Sequence, residues 1–453
     1  MKISIIGLRL ICLCFCMVSM MTSAYAQNVI DVHSHILTQE FKSELKSHHV
    51  ELEEGFPLPD WNLDDHIRWM DQTGIRQSIL TMAAPHPYFG NTDESARIIR
   101  KENETAAQIK KQHPDRFKFC AALPLPNVQA AIREAEYALD TLNADCIKLA
   151  TNSRGQYLGD PELDPLMNVL NERHAVIILH PHKPDPYSDQ VMRQTPLALQ
   201  EYLAETTRAI ANMVTGDVMA RYENLKIVVP HCGAYLPLAL PRMKAVYPVV
   251  QNAGMVKAID WENNLSRLYY DLAGSASVQA IKMMLTITTP NHILYGSDYP
   301  YGVPNVLTAN LNRLKEEISR DGQLAPYLDH FLYQNAYKLF FNQSDADKMI
   351  FRLAEIEVYP QYLDAYIKAA NAISTASIRK EPGVISLIPM QLKDNPTKIR
   401  ILEIYASQEA YQNHLATEHF KTYKQGTLHM VKDLKLIDTK SLNPSLLPDI
   451  LKK

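Results

Sequence analysis

Between residues 28 and 342 the chain alternates eight times between a short apolar, β-branched-rich run and a longer amphipathic stretch, and this alternation constrains the fold more than any other feature. The runs are VIDVH (29–33), QSILTMA (77–83), FKFCAAL (117–123), DCIKLA (145–150), AVIILH (175–180), LKIVVPH (225–231), LYYDL (268–272) and HILYGSD (292–298). Between them lie helical patterns such as NVQAAIREAEYALDTLN, where Ala131, Ala135, Ala138 and Leu142 recur at helical spacing. Strands that are apolar on both faces, each followed by a helix, suit a parallel sheet wrapped in helices. Eight such units predict an α/β fold of the (β/α)8 TIM-barrel type over residues 28–342.

After NQSDADK (342–348) the order changes to strand (349–358), helix (360–378), strand (383–391), strand (399–405), helix (407–423) and strand (428–438). That β-α-β-β-α-β order predicts a small α+β ferredoxin-like domain over 349–440.

At the other end, Lys2 and Arg9 flank the start of an apolar run from Leu10 to Met21, and Ala24, Tyr25 and Ala26 precede Gln27. This is the pattern of a cleaved signal peptide over residues 1–26, and the run is shorter than the roughly 20 residues of a spanning helix. The expected location is therefore periplasmic or secreted, with no stable membrane insertion after cleavage. Removal of Lys2 and Arg9 takes the formal charge from −4 to −6, which excludes a basic nucleic-acid surface. Cys12, Cys14 and Cys16 leave with the signal; Cys120, Cys146 and Cys232 stay, widely spaced, and read as buried free thiols rather than a disulfide framework.

In barrels of this type the active site lies at the C-terminal ends of the strands. Here the first strand ends in His33 and His35, the fifth in His180, the sixth in His231 and the eighth in Asp298. One strand-end histidine alone is more often a hydrogen-bonded pocket residue. Four histidines and an aspartate converging on one mouth form an N/N/N/O set suited to Zn2+ or a similar divalent ion such as Mn2+.

The stretches IDVHSHIL, VIILHPH, IVVPHCGAYLP and ILYGSDYPYG resemble the four signatures of the amidohydrolase superfamily, in its branch of metal-dependent non-oxidative decarboxylases related to aminocarboxymuconate semialdehyde and 6-methylsalicylate decarboxylases. The resemblance implies that His33, His35, His180 and Asp298 bind one metal ion, that His231 and Asp298 are catalytic, and that His182 and Tyr301 line the substrate pocket. A pocket arginine that some members place near the end of the second strand is not evident in ILTMAAPHPYFG, which leaves the partner of the substrate carboxylate open. Lys148 raises a rival, because two-metal hydrolases of the superfamily carboxylate a lysine on the fourth strand; a core-edge lysine and a single metal are preferred. Trp61, His86, Tyr88 and Phe89 are loop aromatics able to stack on a flat substrate, and Arg208 is able to meet an acidic one or form a salt bridge.

The expectation is decarboxylation of a small, hydroxylated aromatic acid without an organic cofactor. Hydrolysis of a lactone or amide is the alternative, since the same site would activate water. A ligand-binding protein without chemistry is a third reading. EPGVISL and LEIYASQEAYQNHLATEHFKTY resemble the antibiotic biosynthesis monooxygenase module, which implies a homodimer or higher oligomer, or a quinol-monooxygenase-like activity with His414 and His419 as candidate residues.

Overall fold

The computed structural model describes residues 29–442 except 83–85, 189, 191–193, 275, 341–347 and 382; the expected signal segment, 1–26, lies outside the described residues. Eight parallel strands follow one another in sheet order: β1 (Val29–Ile36), β2 (Ile75–Met82), β3 (Phe117–Ala122), β4 (Cys146–Ala150), β5 (Val176–His180), β6 (Lys226–Val229), β7 (Leu268–Asp271) and β8 (Ile293–Leu294). The last returns to the first: the Val32 N–H donates to the Tyr295 carbonyl at 2.9 Å and the His35 N–H to the Tyr299 carbonyl at 2.7 Å. The TIM-type barrel is thereby closed to within a short gap.

Period-two alternation sorts the side chains. Ile30, Val32, Ile79, Cys120, Cys146, Val176, Ile178, Val228 and Leu294 form the barrel interior. Their neighbours along each strand, such as Val29, Leu80, Phe119, Ile147 and Ile177, pack outward against the helices. Two of those helices are α1 (Thr92–Gln112) and α2 (Val128–Asp140). Asn91 caps α1 by accepting from the Asp93 and Glu94 N–H groups, and α2 buries the stripe Ala131, Ala135 and Ala138.

Cys120 and Cys146 are direct register partners on β3 and β4, with Cα atoms 4.4 Å apart, and they form a disulfide. This corrects the expectation of three free thiols, which holds for Cys232 alone. The two cysteines are 26 residues apart in the chain, and only strand pairing makes them neighbours.

A second compact unit contains β9 (Ile350–Val358), α4 (Leu363–Lys380), β10 (Val384–Leu392), β11 (Asn395–Tyr405), α5 (Gln408–Ala416), α6 (Glu418–Thr427) and β12 (Val431–Thr439). Its antiparallel sheet runs β10-β11-β9-β12 and packs Ala354, Ile356, Val358, Val384 and Ile401 against Tyr366 and Ala370 of α4. The helix expected over 407–423 is broken in two. Thr417 takes an extended conformation (φ −67°, ψ 147°) and its side chain accepts from the Phe420 N–H, capping a new helix. Among the described residues, no helix is long and apolar enough to cross a membrane.

Candidate active site

The mouth of the barrel is built around β1. Asp31 pairs with Ser78 and Ser34 with Leu80, so β1 carries one extra residue between them. Such a bulge bends a strand and re-aims its side chains. His33 within it and His35 just beyond it both reach the same cluster: their ring centroids are 5.1 Å apart, and each lies within 5.5 Å of His180. His231 sits 5.2 Å from His33, and His33, His231 and Asp298 offer ligand atoms within 4.8 Å of one another. The five strand-end residues therefore converge. His231 and Asp298 both have left-handed backbone, φ 55° and 68°, a conformation rare outside glycine that marks strained functional positions.

Three histidines are held in one tautomer. The His33 Nδ1–H donates to Asp271 Oδ2 at 2.8 Å. The Thr81 hydroxyl donates to the Ser34 carbonyl and so accepts from His35 Nδ1–H at 2.9 Å. The His180 Nδ1–H donates to the Pro181 carbonyl at 2.9 Å. In each ring Nδ1 is engaged as a donor, which turns Nε2 towards the cluster, the way proteins orient imidazoles as metal ligands.

Two observations test whether a cation suits this set. His33 Nε2 is buried with no hydrogen-bond partner. His35 Nε2 lies 3.2 Å from Asp298 Oδ1, which sets a lone pair against a carboxylate oxygen and is favourable only with a positive species between them. The residues fit a divalent ion. Electrostatics agree: burial holds His35 down to about 4 and His180 well below its ordinary value. Burial likewise lowers His231. Burial raises the Asp298 carboxyl, but the neighbouring imidazoles of His35 and His33 bring it down to about 2. At His33 burial pulls down, but Asp271 and then Asp298 outweigh it and push it up to about 9, so with no cation present the two carboxylates favour a proton on Nε2, the position a metal ion would take.

Asp271 was not singled out in the sequence, although it ends the seventh strand. Its second oxygen accepts from the backbone N–H of His231 at 2.9 Å, so one carboxylate positions both histidines. Asp31, also missed, accepts from the His33 and Ser297 N–H groups and from the Ser297 hydroxyl, tying β1 to the segment after β8. Only the strand-end rule pointed towards Asp271; nothing in the pattern pointed to Asp31.

A cavity of about 380 Å3 opens beside the cluster, lined by His180, Tyr202, His231, Tyr295, Asp298 and Tyr301 together with apolar residues. Tyr301 stands edge-on to His35 at 5.3 Å. The other three residues expected to bind substrate are not among the described residues lining it. Trp61 is buried in the outer core, and its indole N–H donates to His66 Nδ1. Arg208, on α3 (Glu201–Thr215), is bound to the buried Glu205 carboxylate and to the Tyr157 hydroxyl. His182 Nδ1 lies 2.5 Å from Glu54 Oε1. In the second unit His414 and His419 both meet one carboxylate, Glu381, at 2.9 and 2.6 Å.

Residues 30–341 match the amidohydrolase family model. The chain belongs to the amidohydrolase family. Residues 349–426 match the antibiotic biosynthesis monooxygenase family. This amidohydrolase is 30% identical over 315 residues to decarboxylase macB of Penicillium terrestre, covering 65% of the chain and 90% of that protein. It is 28% identical to 6-methylsalicylic acid decarboxylase acuB of Aspergillus aculeatus, over 64% of the chain and 88% of that protein. Its fold is shared by a dihydroxybenzoic acid decarboxylase from Polaromonas sp., solved with manganese and the inhibitor 2-nitroresorcinol, with a TM-score of 0.59 at 19% identity over 69% of the chain and 97% of that structure.

Proposed function

We propose that the barrel is a metal-dependent, non-oxidative decarboxylase acting on a small aromatic acid with a ring hydroxyl. The observation that carries this reading is the convergence of His33, His35, His180 and Asp298, with each histidine held through Nδ1 so that Nε2 faces the cluster, beside a largely apolar cavity of about 380 Å3. The relatives' names give the reaction class. Those four residues would hold one divalent ion, Zn2+ or Mn2+ by the donor set. When bound, it supplies positive charge next to the substrate's oxygens as negative charge develops there.

The chain's own groups manage the proton. His231 and Asp298, whose side-chain atoms lie within 4.8 Å of each other, both line the cavity, and one of them delivers a proton to the ring carbon that carries the carboxylate. The carbon–carbon bond then breaks, carbon dioxide leaves, and the bonding pair restores the aromatic ring. Asp271 fixes the backbone of His231 during this step. Tyr295 and Tyr301 wall the cavity and favour a flat substrate.

Export belongs to the same proposal. The Cys120–Cys146 bridge is the chemistry of an oxidising compartment and supports the signal reading of residues 1–26. For the second unit we favour a role in self-association, supported by exposed Ile388, Met390 and Leu392 on β10.

The test is incubation of metal-loaded protein with hydroxylated aromatic acids in deuterium oxide, followed by mass spectrometry. The expected product has lost carbon dioxide and carries one deuterium in its place. His231→Gln and Asp298→Asn should each lower kcat by about 10²–10⁴ while remaining folded. Gain of water by lactones or amides instead would make the barrel a hydrolase.

A further inference from the structure

Lys148 is a buried cation that the mechanism above leaves unused, and its position is specific. It lies on β4 two residues after Cys146, so it shares the inward face of the strand with that interior residue. Its side chain does not stay on β4. Nζ donates to the carbonyl of Met82, the last residue of β2, at 3.0 Å. β3 runs between β2 and β4, and the residue of β3 in register with Lys148 is Ala122, small and buried. The lysine therefore crosses the end of β3 within the barrel mouth. It arrives one residue from Thr81, the group that orients His35. His86, whose ring N–H donates to Leu123 O at 3.0 Å, approaches the end of β3 from the loop after β2.

We propose that the Lys148 ammonium binds the substrate's carboxylate, so that Lys148 is the residue that selects an acid over the corresponding neutral phenol. The proposal rests on the barrel handling an aromatic acid. An anion entering a mouth walled by Asp298 and aromatic rings needs a fixed positive partner, and a hydrogen bond between two charged groups in a dry site is strong and directional. Arg208 does not provide it, being bound to Glu205. The Lys148 ammonium reaches the rim where β2 and β3 end, beside the strand whose Thr81 orients His35.

The role differs from that of a strand clamp, and binding separates the two. Salicylate and phenol serve as probes, titrated calorimetrically into the full chain loaded with Mn2+. Wild type should bind salicylate more tightly than phenol. Lys148→Met should weaken salicylate by about tenfold to a hundredfold and leave phenol within about twofold, since only the charged contact is lost. Lys148→Gln keeps a donor for the Met82 carbonyl and guards against failure of the methionine variant to fold; it should show the same selective loss. Equal weakening of both probes, an unchanged salicylate affinity, or a wild-type protein without preference for the acid would each overturn the proposal. Absence of carbon dioxide release with the preference intact would sink the decarboxylase reading and leave this subsite standing.

Discussion

Asp271 is the residue on which the site's geometry turns. One oxygen holds the Nδ1–H of His33 and the other holds the backbone of His231, and burial alone would raise its pKa were it not for the His33 charge and hydrogen bond, which bring it below the usual carboxylate value. Asp271→Asn keeps the shape but turns an acceptor pair into one acceptor and one donor. Removing such an outer partner of a ligating histidine costs about 10- to 100-fold in metal affinity. Competition with a fluorescent chelator should show that loss, and an unchanged affinity would mean that His33 is oriented by something else. Glu102 makes a second residue-scale case. It is buried in α1, accepts from the Thr38 hydroxyl at 2.7 Å, and burial raises its pKa to about 7. The folded state thus holds a proton that the unfolded chain, with a pKa of about 4.3, releases. Stability from this group is full below pH 4 and falls as the pH rises to about 7. Glu102→Gln should raise Tm at pH 8, and the gain should shrink towards pH 5; a gain independent of pH would contradict the assignment.

At the scale of elements, the site depends on how closely the segment after β8 can approach β1. Gly296 makes that approach possible: a Cβ there would lie 2.7 Å from the Cβ of His33 and 3.3 Å from that of Ala273. Overpacking of this kind costs about 1–3 kcal/mol, and relief comes by displacing His33. Gly296→Ala should therefore lower Mn2+ affinity at least about tenfold with the far-ultraviolet circular dichroism unchanged. Affinity equal to wild type would show that His33 can shift without harm. The bulge in β1 acts in the same way, since a one-residue offset decides which side chains face the mouth. In the second unit the break at Thr417 separates His414 on α5 from His419 on α6, and Glu381 holds both. The continuous apolar pattern from Ala410 to Phe420 hid that break, because a threonine followed three residues later by a residue whose N–H it caps is compatible with either one helix or two.

For the whole molecule, the Cys120–Cys146 bridge links the barrel core to the compartment in which the chain folds. The thiol of Cys232, which burial pushes up to about 12, should not react in the native state. Mature protein unfolded without reductant should take up one equivalent of iodoacetamide, and with reductant three; three without reductant would remove the bridge and the support it lends to export. A loop of 26 residues makes the bridge worth about 3.5 kcal/mol in the chain-entropy account, so reduction should also lower Tm. The eightfold alternation was enough to establish the barrel, because apolar period and strand-helix order are local properties that only a few architectures can satisfy. The same alternation located the site: strand ends in a barrel converge whatever the loops do, so His33, His35, His180, His231 and Asp298 could be chosen by position alone. What the local pattern did not contain was contact between distant segments. The Asp271–His33 pair, the Cys120–Cys146 bridge and the reach of Lys148 across β3 to Met82 depend on register and on which face each strand presents. Trp61 and Arg208 show the same limit, because a loop aromatic and a helix arginine carry no mark of which way they point until Trp61 meets His66 and Arg208 meets Glu205. The sequence determined the architecture and the groups brought to the mouth, since both follow from local periodicity; only the tertiary structure decided which partner each group holds, since that is set by packing across strands that the chain visits far apart.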